Sequence, residues 1–260
     1  MMQMMVGLGF KFNGSTEIYS TAGTYTDTVP TGATSVTVKS WGAGGESSYG
    51  GAGGHVEGTI SVSGGDTINV YVGAHNGGSP SSSVSLTNGG GLSGVKYGSN
   101  VLIAGGGGGG SAGPRGGGGG GNGSGGNGEG DFYANGGTQN AGGSGSTGDP
   151  VNGGDGSSWN NGSNLVNGGA GGGAGGSGGN RSGGGGAGYY GGGGGGGYYD
   201  LTASGSGGGG GSGFISANWT NTVSQQGGLG SNTPPDTGDA NYVSGRGGSN
   251  QDGLVVLIYS

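Results

Sequence analysis

The chain has 260 residues, of which 87 are glycine, with 27% hydrophobic and 7% charged residues and a net charge of −7. Cysteine is absent, which excludes disulfides, thiolate metal sites and cysteine nucleophiles. With only six Lys and Arg in total, the chain has no basic face for a phosphate backbone, so nucleic acid is not an expected partner. Collagen is excluded as well: glycine occurs in runs rather than as a strict Gly-X-Y period, and there are six prolines.

The first residues, MMQMMVGLGFKF, lack a basic flank and a small-residue cleavage site, so residues 1–14 read as an N-terminal extension rather than a signal peptide. No stretch approaches the roughly 20 apolar residues of a membrane span, so membrane insertion is not expected. From there the sequence alternates polar with apolar or β-branched residues, the period-2 pattern of half-buried strands. TEIYS (16–20), TYTDTV (24–29), SVTVKSW (35–41), HVEGTISV (55–62), DTINVYVG (66–73), SVSL (83–86) and NVLIA (100–104) all follow it. Between them lie turn signals, among them PTGA (30–33), SGGD (63–66) and HNGG (75–78). This spacing predicts an all-β sandwich of jelly-roll type without α-helix.

From residue 105 to about 248 the alternation gives way to Gly, Ser, Asn and Ala, with isolated apolar punctuation such as Val151, Phe214 and Tyr242. The chain then closes on GLVVLIY (253–259), apolar enough for a central strand. That strand is expected to pair with the N-terminal ones. The predicted organisation is therefore a β-sandwich from 15–104 plus 253–260, with 105–252 inserted before the last strand. A loop of this length is expected to have structure of its own. Glycine is a poor former of helix and strand. The regular alternative is a threefold extended helix, whose N–H and C=O groups all point outward to neighbouring chains. Glycine at every position would let such helices pack on all sides. Runs of six or seven, such as 105–110 and 191–197, would span roughly 19–22 Å. The expectation is an inserted bundle of polyglycine II helices; a flexible linker is the alternative.

The segments TYTDTVPTGATSVTVKSWGAGG and GGAGGHVEGTISVSGGDTINVYVG, followed by a glycine-rich stretch and the terminal GLVVLIY, resemble a class of glycine-rich domains. This class is found in bacteriophage proteins and in the glycine-rich extracellular region of the anaplastic lymphoma kinase receptor. The glycine runs and aromatic punctuation are also similar to the tail-fibre-tip adhesins of T-even-like phages. The resemblance implies a jelly-roll-like β domain carrying polyglycine II helices, and a protein that presents receptor-binding loops. It extends over about residues 24–73, and by composition through the middle of the chain.

Catalytic chemistry is not expected. GGSGG around Ser177 matches G-x-S-x-G in form, but glycine on both sides supplies neither the strand nor the helix of a nucleophile elbow. His55 and His75 lie on or beside predicted strands and read as surface or edge histidines; no ligand spacing accompanies them. Asp149, Asn152 and Asp155 match no calcium-loop spacing and read as solvated turn residues. No metal or other cofactor is expected. Phe132, Tyr133, Trp159, Tyr189, Tyr190, Tyr198, Tyr199 and Trp219 remain. Side chains of this size do not fit a glycine lattice. They either cap and seal it or project into a partner, where Tyr and Trp offer large contact area with few rotatable bonds.

The expected function is that of a non-enzymatic virion-surface or extracellular protein, a phage tail fibre or fibre-tip adhesin. Its partners would be copies of itself, other virion or fibre subunits, and a host surface glycan or protein. A structural subunit of a virion coat or extracellular fibril is the alternative. Ice binding ranks last, since the chain lacks rows of Thr or Ala at every third position.

Overall fold

The computed structural model describes residues 12–77, 87–111, 113–130, 134–146, 182–196 and 205–260. Ten strands are formed among them: β1 (Ser15–Tyr19), β2 (Gly23–Thr28), β3 (Ser35–Trp41), β4 (His55–Ser61), β5 (Thr67–Val72), β6 (Ser93–Tyr97), β7 (Asn100–Ala104), β8 (Phe214–Ile215), β9 (Thr220–Gln225) and β10 (Leu254–Tyr259). They make two five-stranded antiparallel sheets, ordered β1-β10-β3-β4-β9 and β2-β5-β6-β7-β8. The described residues contain no helix. The predicted strand SVSL lies outside the described residues.

Alternation decides which side chains meet between the sheets. From the first sheet, Val36 and Val38, Val56 and Ile60, and Val255, Leu257 and Tyr259 point inward. Ile68, Val70, Val72, Val95, Leu102 and Ala104 face them from the second. Burial of such side chains contributes about 1.5–3 kcal/mol apiece, so this core is the main source of stability in the sandwich. A cross-sheet tie is added where the buried Tyr259 hydroxyl donates to Asp27 Oδ2 at 2.8 Å. Burial, followed by that bond, pushes the Tyr259 phenol well above its ordinary range.

The turns follow their residues. Ala33 N–H donates to the Pro30 carbonyl at 3.1 Å, and the turn places Gly32 at φ +95°. A side chain there would be strained, which explains glycine after Pro-Thr. The equivalent turn at Gly65 is closed by Asp66 N–H on the Ser63 carbonyl.

Terminal strand β10 enters the sheet between β1 and β3, with Leu257 opposite both Glu17 and Val38. Strands β8 and β9 arise within 105–252 and rejoin the two sheets beside β7 and β4. Their patterning is weak: β9 is TNTVSQ, exposed along its whole length.

Among the described residues the glycine-rich segments form neither helix nor sheet, yet their backbone groups are systematically paired. In 105–110, Gly105 and Gly108 donate to Gly120 and Gly117, Gly106 and Gly109 to Ala187 and Gly184, and Gly107 and Gly110 to Ala43 and Glu46. The donor direction therefore returns to the same neighbour every third residue. Acceptors repeat in the same way: Gly105 and Gly108 receive Gly54 and Gly51, Gly106 and Gly109 receive Gly211 and Gly208, and Gly107 receives Gly90. Thr87 Oγ1 donates to the Gly110 carbonyl. Segment 105–110 thus has six bonded neighbours.

The stretch 206–213 behaves identically. Ser206, Gly209 and Ser212 donate to Gly196, Gly193 and Tyr190; Gly207, Gly210 and Gly213 donate to Glu129, Gly126 and Gly123; Gly208 and Gly211 donate to Gly109 and Gly106. Its carbonyls accept from 183–189, 134–137 and 117–120. A sheet strand bonds in two directions; these segments bond in six.

At most of these glycines such packing leaves no room for a β-carbon. A Cβ placed on Gly105, Gly106, Gly107, Gly108 or Gly109 would fall within 3.0 Å of a backbone carbonyl of a neighbouring segment. Seven array segments are direct continuations of sandwich strands: 42–46 follows β3, 50–54 precedes β4, 87–92 precedes β6, 105–111 follows β7, 205–213 precedes β8, 226–231 follows β9 and 247–253 precedes β10. The register set by the apolar core is thereby carried into the array.

Substitution of array glycines should therefore be sharply position-dependent. Gly208→Ala drives a methyl into the Gly184 backbone and should cost at least about 2–3 kcal/mol, because no flexible side chain can yield. Gly123→Ala meets nothing within 4 Å and should be neutral or stabilising by up to about 1 kcal/mol. Denaturant unfolding of the two variants beside the parent protein checks both expectations.

Candidate recognition surface

Two faces of the sandwich carry side chains that the core does not absorb. On the outer face of the second sheet, Val101 and Ile103 of β7 are buried with Leu92, and Tyr71, Phe214 and Tyr189 pack against them. Tyr189 comes from the array. Its ring stacks on Phe214 at a centroid distance of 4.2 Å and an interplanar angle of 12°, and meets Tyr190 edge-on at 5.3 Å. The backbone pins this pair firmly. Tyr189 N–H donates to the Ser212 carbonyl at 2.9 Å, Ser212 N–H donates to the Tyr190 carbonyl at 2.8 Å, and Tyr190 N–H donates to Ser212 Oγ at 2.9 Å. Tyr189 and Tyr190 are half-buried, and they stand where glycine segments give way to the sandwich. Beside them a cavity of about 310 Å³ opens between Gly23, Thr24, Tyr71, Ala74, Leu92 and Ala187.

The outer face of the first sheet is different in character. Trp41, Leu254 and Val256 are buried there under Tyr242 and Val243. Trp41 stands opposite His55 in the β3–β4 register, and Lys39 stands opposite Glu57. Residues 232–246 cross over this face. Trp41 Nε1–H donates to the Pro235 carbonyl at 2.9 Å, the Tyr242 ring lies 5.6 Å from the Trp41 ring, and Lys39 pairs with Asp239. His55 is fully buried with its ring 4.5 Å from Trp41, and neither ring nitrogen has a hydrogen-bond partner. The nearest carboxylate, Asp236, lies 3.9 Å from His55 Nδ1.

Burial sets the ionisation on this face. It pushes His55 down from 6.5 to about 4, against the pull of Asp236 and Asp239 in the other direction. Burial also raises Glu57, with Lys39 opposing. For Asp239 burial acts upward too, but the Lys39 ammonium and the Asn241 N–H outweigh it and hold the carboxyl below its ordinary value. Among the described residues no group of three or more His, Asp and Glu could hold a metal ion.

Of the aromatic candidates, the structure brings Tyr189 and Tyr190 together. Trp219 lies apart from them, 5% exposed in the core between the sheets, where Gly58 leaves space for its ring. Phe132, Tyr133, Trp159, Tyr198 and Tyr199 lie outside the described residues, as do Ser177, Asp149, Asn152 and Asp155. The expectation of surface or edge histidines is corrected at His55: β4 is an interior strand whose outer face is covered by 232–246. His75 is partly exposed, with Nδ1 2.9 Å from Asp252 Oδ1. Phe214 and Tyr71 were not among the candidate residues. Their only sequence signal is an aromatic at an outward strand position, which becomes meaningful once Tyr189 is known to lie over it.

No family model matches this sequence, and no curated protein matches it.

Removing the Tyr189 ring should test whether the cluster joins array to sandwich. Tyr189→Ala loses the Phe214 stack and a half-buried ring, and should cost about 1–3 kcal/mol. Tyr189→Phe should retain nearly all stability. Thermal or denaturant unfolding of the pair distinguishes the ring from the hydroxyl.

Proposed function

We propose that this protein is a non-enzymatic structural and recognition component of a virion surface or extracellular fibre, of the phage tail-fibre or fibre-tip adhesin type. In this reading the glycine array is a bundle of polyglycine II helices and serves as a rigid frame. The observation that carries it is the three-residue repeat of donors and acceptors to six neighbours in 105–110 and 206–213. Three residues per turn with outward N–H and C=O groups is the polyglycine II geometry. The glycines at 105–110 and 207–211 are also absent from the positive-φ residues, as this helix allows. A frame whose buried positions take Gly with a few Ala and Ser, such as Ala43, Ala52, Ala187 and Ser212, leaves larger side chains to its rims and chain reversals. Tyr and Trp at such positions provide rigid, amphipathic contact surface for sugars or proteins.

A second reading, a coat or fibril subunit without a receptor, draws support from β9. This edge strand is exposed along its length and carries no charge and no proline, two of the devices that discourage edge-to-edge pairing; a register shift against β4 near Asn221 is the one such device it has.

The two readings part in one experiment. The purified protein is applied to candidate host cells and glycan arrays, beside a Trp159→Ala, Tyr198→Ala, Tyr199→Ala triple variant, with size-exclusion light scattering on both. An adhesin binds as the parent protein and loses at least about tenfold in affinity in the variant, at unchanged unfolding midpoint, as expected when aromatic hot spots are removed. Saturable self-assembly without cell or glycan binding would replace the adhesin by the coat subunit.

A further inference from the structure

The segment 232–246 closes over the first sheet without joining it. No backbone–backbone hydrogen bond links residues 233–246 to a sandwich strand among the described residues. Its attachments are side-chain contacts: Trp41 on the Pro235 carbonyl, Lys39 on Asp239, the Trp41–Tyr242 ring pair, and the packing of Tyr242 and Val243 on Trp41, Leu254 and Val256. Its own hydrogen bonds are local, with Asp239 N–H on the Asp236 carbonyl and Tyr242 N–H on the Asp239 carbonyl. A cover held without ladder hydrogen bonds opens at lower free energy than the strands below it.

Beneath this cover lies an imidazole that cannot be charged comfortably. His55 is fully enclosed, and both ring nitrogens lack a hydrogen-bond partner. A cation there would be desolvated, and an unsatisfied buried charge is costly. Charged neighbours face it from two strands and from the cover. Lys39 on β3 opposes protonation; Asp236 and Asp239 in the cover favour it; Glu57 on β4 pairs with Lys39 at 3.9 Å. β9 (TNTVSQ) and β10 (LVVLIY) bring no charged residue. Arg246, at the far end of the cover, is turned toward Asp252 at 4.0 Å.

We propose that segment 232–246 is an acid-released cover, unseated when His55 takes up a proton, which exposes the apolar face of Trp41, Leu254 and Val256. The closed state binds His55 in its neutral form, and the open state hydrates it. The sign follows from the lowered basicity in the closed state: closure is fully favoured above about pH 6.5 and is lost progressively as pH falls toward about 4. Between pH 7.5 and pH 5 the opening equilibrium should rise on the order of 30-fold. The sheets below, secured by their ladders and core, should stay closed.

The test is amide hydrogen exchange by NMR on the whole protein between pH 7.5 and pH 5, corrected for the intrinsic pH dependence of exchange. The expected result is a drop of roughly 30-fold in protection at Asp239 and Tyr242, with protection in β3, β4 and β10 unchanged. In His55→Phe, which retains a ring against Trp41 but cannot titrate, protection in the cover should be flat across this range. Flat protection in the parent protein overturns the proposal, as does an equal drop in His55→Phe or simultaneous loss in cover and strands. If His55→Phe fails to fold, the His55 ring resonances of the parent protein decide. They must titrate together with opening of the cover; titration under a closed cover overturns the mechanism.

Discussion

The close approach of one backbone to another governs this molecule. In the array, N–H and C=O groups of neighbouring segments meet at 2.7–3.5 Å in several directions at once, which is possible only where no Cβ stands between them. Glycine is therefore required by contact rather than by flexibility. The cost is entropic, since an ordered glycine gives up more freedom than any other residue. Fixing a backbone costs roughly 1–2 kcal/mol per residue, while a hydrogen bond returns about 0.5–1.5 kcal/mol net. Those magnitudes nearly cancel, so an array of this kind is marginal unless something else fixes its register.

The sandwich supplies that register. Its core of Val, Ile, Leu and Tyr side chains is conventional, and seven of its strands run on directly into array segments. Each continuation starts at a set position and direction, so the first lateral bonds form with little further loss of freedom. The Tyr189–Phe214 stack adds a side-chain joint at the same boundary. Polar chemistry is displaced outward as a result. It gathers where side chains have room, on the outer faces of the two sheets and under segment 232–246.

Much of the sandwich was legible from period-2 patterning. SVTVKSW and NVLIA coincide with β3 and β7, and the PTGA and SGGD turns fall where a positive-φ glycine is needed. The strands that escaped notice are those without alternation. In β6, SGVKY brings a single core side chain, Val95. β9 is an exposed edge whose residues follow no apolar period. β6 is held by its hairpin to β7 across Gly98–Ser99, and β9 by ladder bonds to β4, distant in sequence; ladder bonds leave no mark on apolar periodicity. Tyr189 and Tyr190 stood out as bulk beside a glycine run, but their partner Phe214 did not. Nor did the enclosure of His55, which depends on residues 232–246 folding back over a strand nearly two hundred positions earlier.

By itself the sequence determined an all-β sandwich with a closing apolar strand, and that any ordered glycine run would need close lateral neighbours for its backbone groups, with a flexible linker as the alternative. Alternation and the absence of side chains are local properties, and they constrain local geometry directly. Only the tertiary structure decided which segments become neighbours, that 105–110 bonds to six others, and that His55 is sealed beneath Asp236 and Trp41. A glycine run carries no side chain by which to choose its partners. The choice is made by the strands at its ends, whose order is set by packing across the whole chain.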